Sequence, residues 1–483
     1  MKIVLAASEA VPYCKTGGLA DVVGAMARRL GEAGHDVLLF LPKYRAVEAA
    51  TLSDGLSQPL PIQLGGETIA AQMRLVQRRS VSTCFIEYAP FFDREGLYGR
   101  DGHDHPDNDR RFILFQLGVL EALKRLGFKP DVIHCHDWQT ALIPALLKRR
   151  YADEPLFAAA ASVLTLHNMA YQGNFPPACL EAAGLPVEDF TPEKLEYYGK
   201  VSFLKGGIVF ADRLTTVSPS YAREIQASGE RGFGMEGLLR QRAASLDGVL
   251  NGIDLDIWSS DKDATLPRRF GLADRAAGKA ECKAAVQKES GLAADARKPL
   301  IAVISRLDYQ KGLDLAIGAL EPRLGRCQLA VIGTGDAQLQ QDFAGLERRH
   351  PGAVSFHQGF DEPFAHRLYA ACDLFLMPSR FEPCGLGQMI AMRYGGVPVV
   401  SRTGGLSDTV FEDGPRANGF TCAPGDAEDL GRALERALAA FGGAGWDALT
   451  KSAMSGDYSW EKSIGFYLQV YAKALASRAP AAR

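Results

Sequence analysis

The segment 379–410 combines a carboxylate with glycine-rich turns. Glu382 begins the run Glu-Pro-Cys-Gly-Leu at 382–386, and a Gly404–Gly405 turn follows a further apolar stretch. A carboxylate can hold a hydroxyl group, and glycine N–H groups can approach an anion closely because no side chain intervenes. The segment therefore predicts a loop, helix, strand and loop unit whose loops bind a ligand with hydroxyl and anionic groups.

A second glycine turn nearly repeats this one at the other end of the chain. Lys-Thr-Gly-Gly-Leu occupies 15–19 and Arg-Thr-Gly-Gly-Leu occupies 402–406, with Asp and Val following at matching positions. At a helix start, N–H groups and a partial positive charge add to the side-chain cation. A tight turn beside a solvated lysine explains the first segment equally well. The repetition favours two anion-binding turns that line one cleft.

Two cations and a histidine follow predicted strands. Arg306 and Lys311 lie five residues apart between a strand and a helix. An ordinary surface pair is the alternative, but this position favours a diphosphate clamp in which Arg306 grips two oxygens and Lys311 supplies a point charge. His167 stands beside Asn168 after another strand, where contact with a sugar is favoured over a structural hydrogen bond.

Short, unbroken apolar runs alternate with helical segments, as is typical of parallel strands covered on both faces. The predicted strands are 3–7, 37–41, 132–135, 163–166, 214–217 and 246–250, then 300–305, 329–332, 354–356, 374–377 and 397–400. The pattern predicts an α/β protein with two Rossmann-like, doubly wound parallel-sheet lobes facing across a cleft. Ligands of such sheets bind beyond the carboxyl ends of the strands, where the polar residues above fall.

A polar, alanine-rich stretch separates the two groups of strands. We assign 1–248 to an N-terminal lobe and 249–457 to a C-terminal lobe. The last segment, 458–483, has helical apolar spacing and is predicted to complete the N-terminal lobe.

Composition excludes several classes of protein. The 483 residues are 47% apolar and 23% charged, the balance of a soluble chain with two or more domains. A net charge of -3 gives no case for nucleic acid. The nine cysteines contain no C-x-x-C pair, so neither a disulfide framework nor a zinc site is suggested. No apolar run suits a signal peptide or a membrane helix, so we expect a cytoplasmic protein without a membrane partner.

Three patterns imitate metal sites, but none has a second ligand group in register. They are His134-Cys135-His136-Asp137, Asp254-Leu255-Asp256 and the Asp- and His-rich segment from Asp101 to Asp109. We favour turn, helix-start and surface roles, so no metal is predicted. The run Gly-Thr-Gly-Asp at 333–336 lacks the third glycine of a dinucleotide fingerprint, which makes a nicotinamide site unexpected.

Taken together, the motifs closely resemble those of bacterial glycogen synthases and plant starch synthases. Matching segments begin at Lys15, His136, Thr165, Gly234, Asn251, Ser305, Glu382 and Arg402, in the family's order. The resemblance implies a retaining glucosyltransferase of the GT-B fold. It implies ADP-glucose as donor and an α-1,4-glucan, such as glycogen or a malto-oligosaccharide, as acceptor. The N-terminal lobe would lie on the acceptor side and the C-terminal lobe would bind the nucleotide sugar, with no cofactor.

The resemblance also implies roles for residues. Lys15, Arg306 and Lys311 would meet the donor phosphates, and His167 and Glu382 would hold the transferred glucose. Further donor-binding candidates are Gly17, Gly18, Cys384, Gly385, Leu386, Gly404, Gly405 and Thr409. Candidates for the acceptor and the pocket are Asp21, Tyr98, the Asp107–Asn108 loop, Asp137, Trp138 and Asn168. Related enzymes carry a second glutamate eight positions after the first; Ile390 stands there, a departure that concerns the ribose and not Glu382.

A diphosphate leaving group needs cations and N–H groups where negative charge grows. No pair of carboxylates is evident at the spacing of a covalent double displacement. By family analogy we expect the glucan 4-hydroxyl to attack on the face that the diphosphate leaves, with the lobes closing to exclude water. Two alternatives stay open: a UDP-glucose transferase with a small acceptor, and a non-catalytic glucan-binding protein.

Overall fold

A computed structural model describes residues 1–48, 52, 54–78, 80–100 and 102–478. Asp101 and residues 479–483, which belong to two of the predictions above, lie outside the described residues. The chain packs into two compact units. Unit 1 comprises 1–217, 222–249 and the chain from Trp460, and unit 2 comprises 218–221 and 250–459. Among the described residues, no helix has an apolar stretch that would reach across a bilayer.

Unit 1 alternates strands and helices. Its strands are β1 Lys2–Ala6, β2 Asp36–Pro42, β3 Leu56–Leu64, β4 Glu67–Arg78, β5 Val81–Glu87, β6 Gly99–Arg100, β7 His103–Asp104, β8 Val132–His136, β9 Ala161–Leu166, β10 Asn174–Phe175, β11 Glu196–Tyr197, β12 Lys200–Ser202, β13 Arg213–Thr216 and β14 Leu246–Gly248. Its helices are α1 Gly18–Glu32, α2 Ala89–Phe92, α3 Asn108–Leu126, α4 Ile143–Lys148, α5 Cys179–Ala183, α6 Phe203–Phe210, α7 Pro219–Ala227, which begins in unit 2, α8 Gly229–Gly232 and α9 Glu236–Gln241.

The main sheet of unit 1 has the order β14-β13-β9-β8-β1-β2-β5-β4-β3. The strands from β14 to β5 are parallel. Because the chain builds outward from β1 on both sides, the strand order switches between β1 and β8, where ligands of such sheets bind. Lys15 follows β1 and Asp137 follows β8.

The edge of this sheet is antiparallel, a feature that the sequence analysis does not predict. β3 and β4 pair antiparallel, and so do β4 and β5. Only Gly65 and Gly66 separate β3 from β4, a connection that suffices for a hairpin and is too short for a parallel crossover. Alternating burial along β4 leaves one face exposed, as antiparallel strands allow.

Unit 2 is a smaller sheet covered by helices. Its strands are β15 Leu300–Ile304, β16 Gln328–Gly333, β17 Val354–Gln358, β18 Leu374–Met377, β19 Val397–Ser401 and β20 Phe420–Cys422. Its helices are α10 Arg275–Glu289, α11 Leu313–Leu320, α12 Ala337–Arg349, α13 Glu362–Ala371, α14 Gly387–Arg393, α15 Gly404–Thr409, α16 Ala427–Ala440 and α17 Trp446–Met454.

All strand pairs of this sheet are parallel, in the order β17-β16-β15-β18-β19-β20. The switch in strand order falls between β15 and β18. The apolar residues of β15, β16, β18 and β19 form one buried core with α11, α12 and α16. That core fixes the carboxyl ends from which the charged loops emerge.

The chain then returns to unit 1 in α18 (Trp460–Arg478), whose Tyr467 and Tyr471 pack on His134 of β8. The α/β class with two parallel-sheet lobes is confirmed. Each predicted strand occurs within two residues of its expected position. The domain boundaries at 248 and 458 stay predictions.

Candidate functional site

Unit 2 places its charged side chains on the loops after β15 and β18. Arg306 follows β15, and Lys311 is the last residue of a short 3-10 turn. Asp308 caps this turn, since its carboxylate accepts the Lys311 N–H at 3.1 Å. Gly312 then adopts a φ of +63°, and a Cβ there would lie 2.2 Å from the Pro378 carbonyl oxygen. Since only glycine fits, the two loops touch through their backbones.

Lys311 and Glu382 form an ion pair between these loops. The Lys311 Nζ lies 2.6 Å from the Glu382 Oε2, and the side chains are only 16% and 7% exposed. The Ser379 hydroxyl donates to the same oxygen at 3.0 Å. Glu382 Oε1 accepts no hydrogen bond from the described residues. An ammonium group has three N–H donors, so the pair can still bind an anionic oxygen through Lys311 and a hydroxyl through Glu382.

Arg306 lies at the same edge of the sheet with a more open side chain. It is 52% exposed, and its Nη1 lies 3.3 Å from the Asp308 carboxylate. Exposed ion pairs of this kind contribute little to stability. The guanidinium can therefore exchange this partner for phosphate oxygens at small cost.

The 333–336 segment supports the Arg306 loop. The Leu307 N–H donates to the Thr334 carbonyl at 2.9 Å, and the Asp336 N–H donates to the Leu307 carbonyl at 2.7 Å. A Cβ at Gly335 would lie 2.2 Å from the Leu307 carbonyl oxygen. The glycines thus allow the two loops to pair closely. This packing explains the Gly-Thr-Gly pattern, which only imitates a dinucleotide fingerprint.

The 404–405 turn differs from the prediction of an amide that faces an anion. The Gly405 N–H donates to the carbonyl oxygens of Glu382 and Pro383, each at 3.2 Å. A Cβ at Gly404 would lie 1.9 Å from the Glu382 carbonyl oxygen, and one at Gly405 would lie 2.1 Å from that of Cys384. The predicted anion contact is corrected for Gly405: this glycine turn presses against the Glu382 loop and holds it.

Leu386 and Arg402 flank this turn in the sequence. Leu386 is a partly buried residue just before α14. Arg402 precedes α15, and its Nη2 lies 3.5 Å from Asp429.

Gln388 is a fully buried residue that sequence reasoning missed. Its Nε2 lies 3.2 Å from the Cys384 carbonyl, 2.9 Å from the Gly385 carbonyl and 3.2 Å from the Thr409 hydroxyl. The Thr409 hydroxyl donates to the Gly405 carbonyl at 2.7 Å. Burial raises the pKa of the Cys384 thiol to about 12. These predicted donor-binding residues form one packed network that supports the loop of Glu382.

In unit 1 the Lys15 turn is held from behind by a buried carboxylate. Glu9 is 3% exposed and accepts the Thr16 N–H at 2.5 Å and the Thr16 hydroxyl at 2.9 Å. Burial raises the pKa of Glu9, and hydrogen bonds from Thr16 and the Gly17 amide oppose that rise. The Lys15 Nζ lies 2.8 Å from Asp21. Glu9 thus engages the Thr16 and Gly17 amides, and the donor contacts predicted for Gly17 and Gly18 stay predictions.

Sequence reasoning missed Glu9, although a signal for it exists. The residue stands directly beyond the apolar run of β1 and ahead of the glycine turn. An acidic residue in that position is suited to cap the amides of the turn.

Asp137 follows β8 in a strained conformation. Its φ is +56°, which residues other than glycine rarely adopt. Its carboxylate accepts the His167 N–H at 2.7 Å, and its own N–H donates to the Thr165 carbonyl at 3.0 Å. Burial raises the pKa of Asp137 to about 7, although amide hydrogen bonds from His167 and Asn168 oppose the shift. Strain and a perturbed pKa together indicate a functional position.

His167 lies beside a second histidine. The Nδ1 of buried His136 is 3.0 Å from the Nε2 of partly exposed His167. Burial lowers the pKa of His167 to about 3 and that of His136 well below its usual value. Both rings are neutral at pH 7. A neutral imidazole at this edge can exchange hydrogen bonds with a hydroxyl group.

The Tyr98 loop is joined to the loop after β1. The Tyr98 hydroxyl lies 2.7 Å from the Ser8 hydroxyl, and the Asn108 side chain donates to the Tyr98 carbonyl at 2.9 Å. Asp107 forms a two-point ion pair with Arg94, both contacts at 2.7 Å. These bonds fix the predicted acceptor loop against the switch point of unit 1.

Trp138 is a mostly buried residue. The side chain is 9% exposed and lies edge-on to Phe112, with ring centroids 4.9 Å apart. A Cβ at Gly173 would lie 2.5 Å from the indole ring. Trp138 therefore packs mainly against the core, and its predicted place in the pocket stays a prediction.

Two exposed aromatic rings follow strands of unit 2 and were also missed. Tyr309 is 72% exposed after β15, where the Arg380 guanidinium lies 4.0 Å from its ring centroid. Phe360 is 67% exposed two residues after β17. An exposed ring at the carboxyl edge of such a sheet offers a flat face to a planar ligand.

Within the described part of the chain, histidine, cysteine and acidic side chains form no group of three that could hold a metal ion. His134 instead contacts Thr165 and Tyr471. Asp254 accepts the Asp256 N–H at 3.0 Å, a turn contact.

The chain is similar to named proteins over nearly its whole length. Residues 2–241 match the starch synthase catalytic domain, and residues 298–440 match the glycosyl transferases group 1. The chain is 44% identical to a glycogen synthase of Elusimicrobium minutum, over 98% of this chain and 99% of that protein. It is 45% identical to a glycogen synthase of Syntrophotalea carbinolica, with the same two shares covered.

Solved structures show the same architecture. The catalytic domain of starch synthase IV from Arabidopsis thaliana, bound to ADP and acarbose, superposes with a TM-score of 0.91 at 35% identity, over 98% of this chain and 99% of that one. A sucrose-phosphate synthase from Thermosynechococcus elongatus superposes with a TM-score of 0.60 at 18% identity, over 99% of each chain. The second likeness concerns the fold alone.

Proposed function

Because the chain belongs to the family of glycogen synthases and starch synthases and is a glycosyltransferase, we propose that it transfers glucose from ADP-glucose to an α-1,4-glucan. The acceptor atom is the 4-hydroxyl oxygen at the non-reducing end. The anomeric configuration is retained and ADP is released. The glycogen synthase names of the full-length relatives and the ADP in the starch synthase structure support these substrates.

The observation that carries the proposal is the ion pair of Lys311 and Glu382 at the switch point of unit 2. A buried pair with only one carboxylate oxygen engaged offers both a cation and a hydroxyl acceptor in one place. A nucleotide sugar presents the matching groups, a diphosphate next to a hydroxylated ring. In this role Lys311 contacts a phosphate oxygen, and the Oε1 of Glu382 accepts a hydrogen bond from a glucose hydroxyl.

Charge stabilisation is the main chemical contribution that we assign to unit 2. When the bond from glucose to the diphosphate breaks, negative charge accumulates on the departing oxygen. Lys311, held in place by Glu382, and Arg306, once it has exchanged Asp308 for phosphate oxygens, stabilise that charge and lower the barrier more than the same cations would in water. The glucan hydroxyl attacks the glucose carbon from the face that the diphosphate leaves, and its proton passes to the departing phosphate oxygen.

We assign the hydroxyl-rich sugar to the hydrogen-bonding groups of unit 1, among which the His167 ring is neutral at pH 7. His167, Asp137 and Asn168 surround one strand end, and Tyr98 is fixed nearby through Ser8. Hydrogen-bond donors and acceptors without charge suit an uncharged ligand, because they need no counter-ion. Lys15 has the charge required to meet a donor phosphate, and that role stays a prediction.

The base of the nucleotide is assigned to Phe360. The exposed ring stands after a strand of the unit that carries the cations. A flat purine stacks favourably on such a face, with a gain of roughly 1–3 kcal/mol. We also propose that no metal is required, because Arg306 and Lys311 supply the positive charge that a cation would otherwise provide.

One assay tests these statements together. The protein is incubated with glycogen and either ADP-glucose or UDP-glucose, with and without EDTA, while nucleotide release and polymer growth are measured. We expect growth and ADP release with ADP-glucose that EDTA leaves unchanged. Preference for UDP-glucose and a small acceptor supports the rival transferase, and loss of activity with EDTA contradicts the metal-free mechanism.

A further inference from the structure

Three imidazole rings stand in a row at one end of the unit 1 sheet. His134 and His136 alternate along β8 and so lie on one face of the strand, with ring centroids 4.2 Å apart. His167 follows β9, the neighbouring strand, and its ring centroid is 5.3 Å from that of His136. Only the last ring of the row is partly exposed.

The three rings differ in how their nitrogens are used. His134 is fully satisfied: its Nδ1 lies 2.8 Å from the Tyr471 hydroxyl and its Nε2 lies 2.6 Å from the Thr165 hydroxyl. His136 is also fully buried, and its Nδ1 faces His167 at 3.0 Å. Its Nε2 has no hydrogen-bond partner among the described residues.

That unpartnered nitrogen decides which ring donates. Burial lowers the pKa of both His136 and His167, so each neutral ring carries one proton. If His167 donated, the proton of His136 would have to sit on its Nε2, as a buried N–H without an acceptor. If His136 donates through Nδ1, the Nε2 is a bare acceptor. Unpaired buried N–H groups are rarer than unpaired buried acceptors, so the second arrangement is favoured.

We propose that His136 is a positioning residue which donates its Nδ1–H to the Nε2 of His167 and thereby holds the proton of His167 on Nδ1. His167 then presents an N–H donor, and not an acceptor, to an oxygen of the transferred glucose. This inference rests on the proposed function, in which His167 contacts the sugar. No described residue hydrogen-bonds the His167 Nδ1, which leaves that nitrogen for the ligand.

The proposal also explains why a histidine, a poor choice for an apolar core, stands at 136. An unpaired buried polar atom costs stability. Because the Nε2 of His136 has no partner among the described residues, the contact between its Nδ1 and His167 is what explains a histidine at this position. An asparagine can place an N–H where Nδ1 lies, whereas a glutamine amide extends toward the position of Nε2 and misses His167.

The first test is spectroscopic and uses the full-length protein labelled with 15N at histidine. Ring nitrogens with and without a proton have clearly separated 15N shifts, and the His167→Ala variant identifies the signals of His167. We expect a protonated Nδ1 and a bare Nε2 for His167 in the wild type and in His136→Asn. In His136→Gln we expect a second population with the proton on Nε2. A wild-type His167 protonated on Nε2 overturns the proposal, as does an unchanged tautomer in His136→Gln.

The second test is kinetic. At saturating glycogen, His136→Gln should lower kcat/KM for ADP-glucose about tenfold, the size of one neutral hydrogen bond, while His136→Asn should stay within about twofold of the wild type. In a His167→Ala background His136→Gln should have no further effect, because its action passes through His167. An equal loss in both backgrounds indicates a merely structural role and overturns the proposal.

His134→Asn is the matched control, since it changes a buried histidine of the same strand that does not contact His167. It should lower thermal stability and leave the His167 tautomer unchanged; an altered tautomer there contradicts the specific role of His136. The His167→Ala variant tests the proposed function separately. Wild-type turnover in that variant contradicts the glucose contact, whereas the tautomer measurement and the comparison of the two backgrounds test the positioning role.

Discussion

The switch points of the two units are built from opposite kinds of chemistry. In unit 2, Lys311 and Glu382 face each other as a formed ion pair, and Arg306 keeps an exposed charge beside Asp308. In unit 1, burial lowers the pKa of His167 to about 3 and raises that of Asp137 to about 7. The edge of unit 2 holds a buried ion pair, whereas in unit 1 burial disfavours the charged forms of His167 and Asp137, and the Lys15–Asp21 ion pair is more exposed.

This contrast indicates what each edge can bind. Formed charges held on a rigid sheet suit a ligand that is itself charged and becomes more so during reaction. Neutral hydrogen-bonding groups suit hydroxyls, because burying an unpaired charge beside an uncharged sugar would cost free energy. We therefore expect substitutions of the unit 2 cations Arg306 and Lys311 to change the response to the nucleotide, and substitutions of His167 and Asp137 in unit 1 to change the response to the sugar.

The largest expected effect is that of Glu382→Gln. The amide keeps the shape and removes the charge that holds Lys311, so both the glucose contact and the placement of the cation suffer. We expect kcat to fall by roughly 10²–10³, the usual loss when one preorganised electrostatic group is removed. Initial rates of ADP release with glycogen as acceptor measure it.

Glu435 provides a control in the same unit. It pairs with Arg323 and Arg326 on an exposed surface. Glu435→Gln should leave kcat unchanged and alter the free energy of unfolding by less than about 1 kcal/mol. A Glu382→Gln variant as active as this control would remove Glu382 from the site.

Lys311→Met should be the next largest effect. The substitution retains the apolar stem and deletes the ammonium, so KM for ADP-glucose rises and kcat falls, with kcat/KM reduced by roughly 10². Without Lys311 the buried Glu382 carboxylate has no counter-ion, so the variant should be less stable. Adding Glu382→Leu should restore stability without restoring activity, which urea unfolding and rate measurements can compare.

Phe360→Ala should have a smaller effect that is confined to the donor. Removal of a stacking face costs roughly 1–3 kcal/mol, so KM for ADP-glucose should rise about tenfold or more. The kcat value and the apparent affinity for glycogen should not change. If the KM for glycogen rises instead, Phe360 belongs to the acceptor path.

The smallest expected effect is the pH dependence of stability, where Asp137 of unit 1 and Asp314 of unit 2 should contribute with opposite sign. Burial raises the folded pKa of Asp137 from 3.8 to about 7. Between those values the Asp137 carboxyl keeps its proton in the folded state and loses it in the unfolded state. Its contribution to the free energy of unfolding therefore falls as pH rises from about 4 to about 7. Asp137→Asn should therefore gain stability relative to the wild type over that interval, with no further gain above it.

Asp314 of unit 2 is the matched comparison, since Arg380 lowers its pKa. Its ionised form is stabilised, so Asp314→Asn should be less stable than the wild type at neutral pH. That deficit should vanish as pH falls through the lowered pKa. Urea unfolding at intervals from acid to neutral pH distinguishes the two trends. Parallel trends would contradict the contrast between the units.

Strand positions and the cations at their ends could be predicted from the sequence for a physical reason. Parallel strands buried on both faces must be apolar throughout, so 300–305 and 374–377 are visible as runs. The polar residue after such a run lies at the carboxyl edge. Arg306, His167 and Glu382 could be placed in this way without any knowledge of their neighbours.

The partners of the glycine turns could not be predicted in this way. The pattern around Gly405 shows that a backbone comes close to something, and the structure identifies it as the carbonyls of Glu382 and Pro383 rather than an anion. Glu9 was missed because its contact with the Thr16 amide depends on how the chain folds back between the two residues. Gln388 was missed because its contact with Thr409 joins segments 21 residues apart. The hairpin of β3 and β4 was missed because its alternating pattern differs from the unbroken runs of the parallel strands.

The most direct test of the account is calorimetric titration of ADP into the full-length protein and its variants. If unit 2 carries the charges that bind the diphosphate, Lys311→Met and Arg306→Ala should each weaken ADP binding by about tenfold or more. His167→Ala and Asp137→Asn should leave the Kd within about twofold. ADP affinity that survives loss of both unit 2 cations and falls with the unit 1 substitutions would contradict the account.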